Sequence, residues 1–161
     1  MATDYAVCIT RPVAQAQALT DALSHAGVAA IHQPLLVIEP LPAIPAAVRS
    51  TVLALDEYQH IIFVSLNAVH FGMELINDHW PQLPQGLHWY SVGSATAAAL
   101  SGFGVLAQYP RQQMSSEGLL QLDELQSVAG QRVLIVRGEG GRTTLRDTLL
   151  AQGARVDDLP C

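Results

Sequence analysis

The strongest constraint in this chain is an alternation, repeated from end to end, of short apolar runs and stretches patterned at helical spacing. A strand buried on both faces reads as a continuous apolar run, and parallel strands need a crossover between them, usually a helix. The alternation therefore predicts an α/β fold with a doubly wound parallel sheet. Between residues 46 and 158 it places five strands, at 61–64, 89–92, 105–108, 133–136 and 154–156. Helices are expected at 46–58, 67–76, 95–100, 118–125 and 142–152. That set is enough for a complete doubly wound domain over residues 46–155.

The beginning of the chain is different. Residues 5–9 read as a strand, Thr10 as a helix cap, and Pro12 as a first-turn residue whose missing N–H costs nothing there. Leu19, Leu23 and Ala26 share one helical face, Gly27 supplies the stop, and a second strand at 28–31 is expected to continue through 35–38. Pro40, Pro42 and Pro45 then stiffen a linker over 39–45. Strand, helix and strand over 1–38 are too few to bury a core, since chains below about 40 residues rarely fold unaided. The missing strands are expected from sequence after Cys161 or from another chain. Alternatively, residues 1–38 add two edge strands to the one sheet, although the proline linker favours separation. Residues 156–161 begin a strand and stop, as the start of a return linker would.

Charge and composition exclude several classes of function. Fourteen acidic side chains face eight basic ones, a net charge of -6, which argues against a nucleic-acid partner. All eight basic residues are arginine, so a Schiff-base lysine and a phosphate-loop lysine are excluded. Cys8 and Cys161 have neither disulfide-framework nor zinc-ligand spacing, and a reducing cytoplasm is the expected compartment. Residues 1–5 lack the pattern of a secretion signal, and no apolar run approaches the ~20 residues that span a bilayer. No membrane association is expected.

In doubly wound sheets, ligands sit beyond the carboxyl ends of the strands, where helix N-termini present free N–H groups. Four such junctions carry small polar or basic residues: Thr10-Arg11-Pro12, Ser65-Leu66-Asn67, Gly93-Ser94-Ala95-Thr96, and the loop from Arg137 to Arg142. Plain capping explains Ser65 or Ser94 taken singly; four junctions on one sheet edge point instead to a site. In the last loop, Gly138, Gly140 and Gly141 allow close backbone approach, and Arg137 and Arg142 suit carboxylate or phosphate oxygens. Thr143 breaks the dinucleotide fingerprint. Arg146, one turn on, reads as a solvated charge. The six histidines show no metal-binding spacing, Gly93-Ser94 lacks the second glycine of a nucleophile elbow, and Trp80 and Trp89 read as packing residues. The acidic balance does not oppose an anion, because diffuse charge is screened beyond ~8 Å while a unit pair at 4 Å gains ~4 kcal/mol at a dielectric near 20.

Taken in order, these motifs resemble the uroporphyrinogen-III synthase family. The resemblance rests on Thr10-Arg11-Pro12, the Pro34-to-Pro40 crossover, the Ile62-to-Val69 junction and the Val92-to-Ala97 junction, continuing through Ser115-Ser116-Glu117-Gly118-Leu119 and the Arg132-to-Arg142 segment. It implies two flavodoxin-like lobes, the first discontinuous: its opening βαβ, then an inserted second lobe, then the remainder. It further implies a hydro-lyase that cyclises hydroxymethylbilane to uroporphyrinogen-III with inversion of ring D, needing no cofactor and acting as a monomer. The substrate's carboxylates would be held by backbone amides and small hydroxyls. Thr10, Arg11, Ser65, Asn67, Gly93, Ser94, Thr96, Ser116, Arg137, Gly138, Gly140, Gly141 and Arg142 are thereby implied as substrate contacts, with no catalytic side chain assigned. Val64 stands where a threonine is common, and the chain lacks the later part of lobe one; it is expected to be inactive alone. A non-catalytic tetrapyrrole- or anion-binding module of a regulatory protein is the alternative.

Overall fold

The computed structural model describes residues 5–161, which fall into two compact units that divide between Glu39 and Pro40. In the first unit, strands β1 (Ala6–Ile9) and β2 (Ala29–His32) pair in parallel around helix α1 (Val13–His25), with Ala6 opposite Ala29. Gly27 ends α1 in the left-handed region at φ 70°, which favours glycine. The helix is not capped by Thr10: Pro12 occupies the N-cap position and has no side-chain acceptor, and its carbonyl takes the Gln15 amide at 2.9 Å. Residues 35–38 form no strand. The Leu35 amide bonds the Thr10 carbonyl at 3.2 Å, and the side chains of residues 35–38 are exposed.

The second unit is built on one parallel sheet. In chain order it comprises α2 (Ala46–Leu53), a 3-10 turn (Leu55–Glu57), β3 (His60–Phe63), α3 (Leu66–Asn77), β4 (His88–Ser91) and α4 (Ser94–Ser101). Then follow α5 (Ser116–Leu119), α6 (Asp123–Gln126), β5 (Arg132–Arg137), α7 (Thr144–Ala151) and β6 (Arg155–Pro160). The strand order is β4-β3-β5-β6, all parallel. The chain steps outward from β3 to β4, then returns to the other side of β3 to lay down β5 and β6. The winding reverses between β3 and β5.

Three expectations need correction. The strand expected at 105–108 is reduced to a single bridge between Tyr90 and Gln108, since exposed Leu106 and the turn at Gly104 leave too little to pair. The helix expected at 118–125 is broken into α5 and α6. The strand expected at 154–156 is longer: β6 runs from Arg155 to Pro160 along the whole of β5, and the Cys161 amide still bonds the Arg137 carbonyl at 3.0 Å.

Period-two alternation sorts the core onto the two faces of the sheet. Ile61, Phe63, Leu134 and Val136 pack with Met73, Ile76, Leu100 and Val52 on one face. Ile62, Val133 and Ile135 pack with Tyr90, Leu119, Leu145 and Leu149 on the other. Helix α3 lies so close to the sheet that a β-carbon at Gly72 would come within 2.4 Å of Val136 Cγ1.

The amino-terminal edge of this sheet is tied by polar side chains. Arg132 ion-pairs Glu57 and, at 3.1 Å, Asp157, with its guanidinium 4.4 Å from the centre of the Tyr58 ring. Tyr58 donates to Asp157 at 2.8 Å; burial first, and then the carboxylate, push its pKa up to about 12. His60 is buried, with Nε2 donating to Gln131 Oε1 and Nδ1 accepting from the Tyr90 hydroxyl at 3.1 Å. Burial lowers its pKa.

Candidate functional site

Three of the four expected junctions lie at the carboxyl-terminal edge of the Pro40–Cys161 sheet; the one at Thr10–Pro12 follows β1, which belongs to a separate two-stranded sheet in the other unit. Strands β3, β4 and β5 are parallel and in register, so residues 64–67, 92–96 and 137–142 leave the sheet on the same side. A cavity of about 330 Å³ opens where the winding reverses, between the ends of β3 and β5. Val64 and Val92 form its apolar side, Ile135 and Leu145 its base, and Ser116 and the Arg137–Arg142 loop its polar wall. Ligands of doubly wound sheets bind at such a reversal.

The loop holds its shape through its own arginine. The Arg137 guanidinium donates to the Gly140 carbonyl and, at 3.3 Å, to the Arg142 carbonyl. Gly140 and Gly141 have φ of 76° and 86°, a region closed to most side chains, so the backbone turns without strain. Arg137 therefore braces the loop, and its guanidinium is already engaged. Arg142 reaches across to Glu117 at 3.5 Å, both largely exposed. Glu117 has a lowered pKa, set first by its own backbone amide, then by the Ser115 hydroxyl and Arg142. Glu139 also lines the cavity, so two guanidiniums face one carboxylate there.

Of the other expected contacts Ser116 is in the lining of this cavity, and several of the rest are engaged in local contacts. Ser65 caps α3, its hydroxyl accepting the Ala68 amide at 3.1 Å, and Asn67 lies in the first turn. Gly93 is the N-cap of α4, and Ser94 Oγ lies 3.6 Å from Met114 Sδ. Thr96 is buried in α4. Ser116 lines the cavity. Thr10 and Arg11 belong to the other unit, where both are exposed and the Arg11 carbonyl is 3.0 Å from His32 Nε2. Arg146 is not a solvated charge: half-buried, it bonds Asp158 of β6 at 2.9 Å, because α7 packs along that strand. The tryptophans pack as read, Trp80 bonding the Val52 carbonyl at 2.7 Å and Trp89 stacking on Phe63.

Residue-type reasoning missed Glu117, the partner that restrains Arg142; Glu117 two residues after the Ser115 cap was a visible signal. It also missed a second, larger cavity of about 840 Å³ lined by residues 107–113 and the α5–α6 connection. Among the described residues no group of three or more His, Cys, Asp or Glu is placed to hold a metal. None of the described helices is long and apolar enough to cross a membrane.

The Pro40–Cys161 unit is of the doubly wound α/β class, with a glycine-arginine turn at the sheet reversal, the place where ligands of such sheets bind. Comparison narrows the class. The profile described as uroporphyrinogen-III synthase HemD matches residues 17–161. The uroporphyrinogen-III synthase of Escherichia coli K12 is 37% identical over 161 residues, covering 96% of this chain and 63% of that protein. That of Proteus mirabilis is 33% identical, covering 96% of this chain and 78% of the relative. A crystal structure of a mutant uroporphyrinogen III synthase from the extremely thermophilic bacterium Thermus thermophilus superposes with a TM-score of 0.68 at 18% identity, over 96% of this chain and 60% of that one. The chain belongs to the uroporphyrinogen-III synthase family. It spans 63% of the length of its Escherichia coli relative. These relatives carry the synthase name, and none of them supports a regulatory binding module.

Proposed function

We propose that this chain carries the second lobe, and the opening of the first, of a uroporphyrinogen-III synthase, a hydro-lyase of tetrapyrrole biosynthesis. The supporting observation is the coincidence, within a member of this family, of the predicted polar junctions with the sheet reversal. The substrate is hydroxymethylbilane, a linear octacarboxylate, and the product uroporphyrinogen-III. The substrate's terminal hydroxyl leaves as water, and the resulting electrophilic methylene is attacked through a spiro intermediate that inverts ring D before closure. Unassisted closure of the same precursor leaves ring D uninverted. The protein's task is therefore orientation and charge stabilisation. Ser65, Asn67, Gly93, Ser94, Thr96, Ser116 and the 137–142 loop serve as substrate contacts, with Arg137 holding the loop and Arg142 the guanidinium best able to change partner. Thr10 and Arg11 serve the same role from the first unit.

Residues 1–38 are the opening βαβ of a lobe that needs further strands, which the exposure of Leu35, Leu36 and Val37 supports. The enzyme works as a cytoplasmic monomer. Incubation with hydroxymethylbilane and separation of the isomers tests the reading. Residues 1–161 alone should give little type III product, and the same residues within a chain carrying the remaining strands should give it as the main product. Type I alone from the longer chain would overturn the proposal. Arg142→Ala in that longer chain should weaken product binding several-fold, a partly exposed ion contact being worth up to ~1 kcal/mol; unchanged affinity by calorimetry would remove Arg142 from the site.

A further inference from the structure

The cavity of about 840 Å³ in the Pro40–Cys161 unit lies outside the strand-end junctions at 64–67, 92–96 and 137–142. Its wall is the segment after the Tyr90–Gln108 bridge. Gln108 runs parallel to β4, so Tyr109 to Gln113 leave the sheet at the carboxyl-terminal edge, on the same rim as the glycine loop. Opposite them stand Gln121 and Leu122. Helix α5 is a common wall: Ser116 lines the smaller cavity and Gly118 the larger. Two residues apart on a helix, these positions face nearly opposite ways. The 107–113 segment is held against α5 at Gly118, where a β-carbon would fall 1.9 Å from the Gln113 carbonyl oxygen.

The chemistry of this wall is one-sided. Arg111 supplies its single charge, and Tyr109 with Gln108, Gln112, Gln113 and Gln121 supply neutral donors; no lining residue is acidic. Glu117, beside Gly118, is directed to Arg142 on the other side of α5. Arg111 is exposed and makes no ion pair among the described residues. In a chain of net charge -6, a concave surface free of carboxylates around an unpaired guanidinium is complementary to an anion. Size points the same way. The smaller cavity, about 330 Å³, sits at the low end of the ~300–1,000 Å³ that drug-sized ligands fill, and a tetrapyrrole is larger than those.

We infer that the Arg111 cavity is a second carboxylate subsite of the strand-end rim, taking acidic side chains of the same polycarboxylated tetrapyrrole whose other carboxylates meet the glycine loop. The inference rests on the function proposed above.

The test uses the 161-residue chain and uroporphyrin III, the aromatised octacarboxylate ring, with affinity read from quenching of porphyrin fluorescence at low ionic strength. Arg111→Glu should weaken binding about tenfold, and Arg111→Lys by no more than about twofold, in the range of one partly exposed ion contact and its reversal. The difference should shrink as salt shortens the screening length. Arg49→Glu makes the same change in net charge on α2, outside both cavities, and should leave affinity within about twofold. Both arginines are exposed, and matched thermal transitions check that the variants stay folded. Binding by the parent chain with equal affinity in Arg111→Glu, or an equal loss in Arg49→Glu, would overturn the subsite while leaving the proposed function standing. Failure of the parent chain to bind uroporphyrin III would count against the proposed function and carry the subsite with it.

Discussion

Strands β1 and β3 are both four residues long and mostly apolar, Ala-Val-Cys-Ile against His-Ile-Ile-Phe, and both pair in parallel. All four residues of β3 are buried, whereas only Ile9 of β1 is. The difference lies in the neighbours. β3 has β4 on one side and β5 on the other, with packed helices over both faces; β1 has β2 alone. Among the described residues of the first unit Ile9 and Ala16 are the buried apolar ones, while Leu35, Leu36 and Val37 are 67–81% exposed. The same local pattern thus gives a finished core in one unit and an unfinished surface in the other. Burial is a property of the sheet, and a strand acquires it only with its partners.

The largest expected contrast is in hydrogen exchange. Amides of β3 and β5 should exchange only through global unfolding, and those of β1 and β2 faster by a factor of about 10³ or more. Equal protection in the two units would break the comparison. Side-chain deletions should sharpen it. Phe63→Ala should cost about 3–5 kcal/mol in urea unfolding, and Leu36→Ala within ~0.5 kcal/mol of zero. Gly72→Ala comes next: helix propensity favours alanine by ~1 kcal/mol, but the new methyl meets Val136 in a packed sheet, so a net loss of about 1–3 kcal/mol is expected.

The smallest effect is the pH dependence at His60. Burial favours the neutral ring and the nearby His88 opposes the charge, while the Gln131 acceptor and Glu124 partly offset them. The folded pKa lies below the ordinary 6.5, so the unfolded chain binds the proton first. This contribution to stability is intact above pH 6.5 and is lost as pH falls below it toward the folded value. His60→Gln should flatten that part of the stability profile, and an unchanged slope would show that His60 does not set it.

Much of this architecture was legible in the residues because period and length are local signals. The apolar runs at β3 and β5 and the glycine stop at Gly27 required no tertiary knowledge. The strand expected at 105–108 failed because edge pairing depends on a neighbour, and Leu106 faces solvent at 88% exposure. Strand β6 was cut short because Asp157 and Asp158 look like the end of a strand; each is held there by an arginine, Arg132 and Arg146, that is remote in sequence or on another element. The site follows the same division. The junctions were legible as caps and turns, but the inward fold of Arg137 onto its own loop, the Glu117 tether on Arg142 and the Arg111 cavity arise from contacts between elements.

The most direct test of the strand-end site is an amide chemical-shift map of the labelled chain titrated with uroporphyrinogen-III. Shifts are expected at residues 64–67, 92–96, 116–118 and 137–142, with the opposite sheet edge around His60, Gln131 and Arg132 silent. Shifts centred on that opposite edge, or spread evenly over the surface, would contradict a strand-end site.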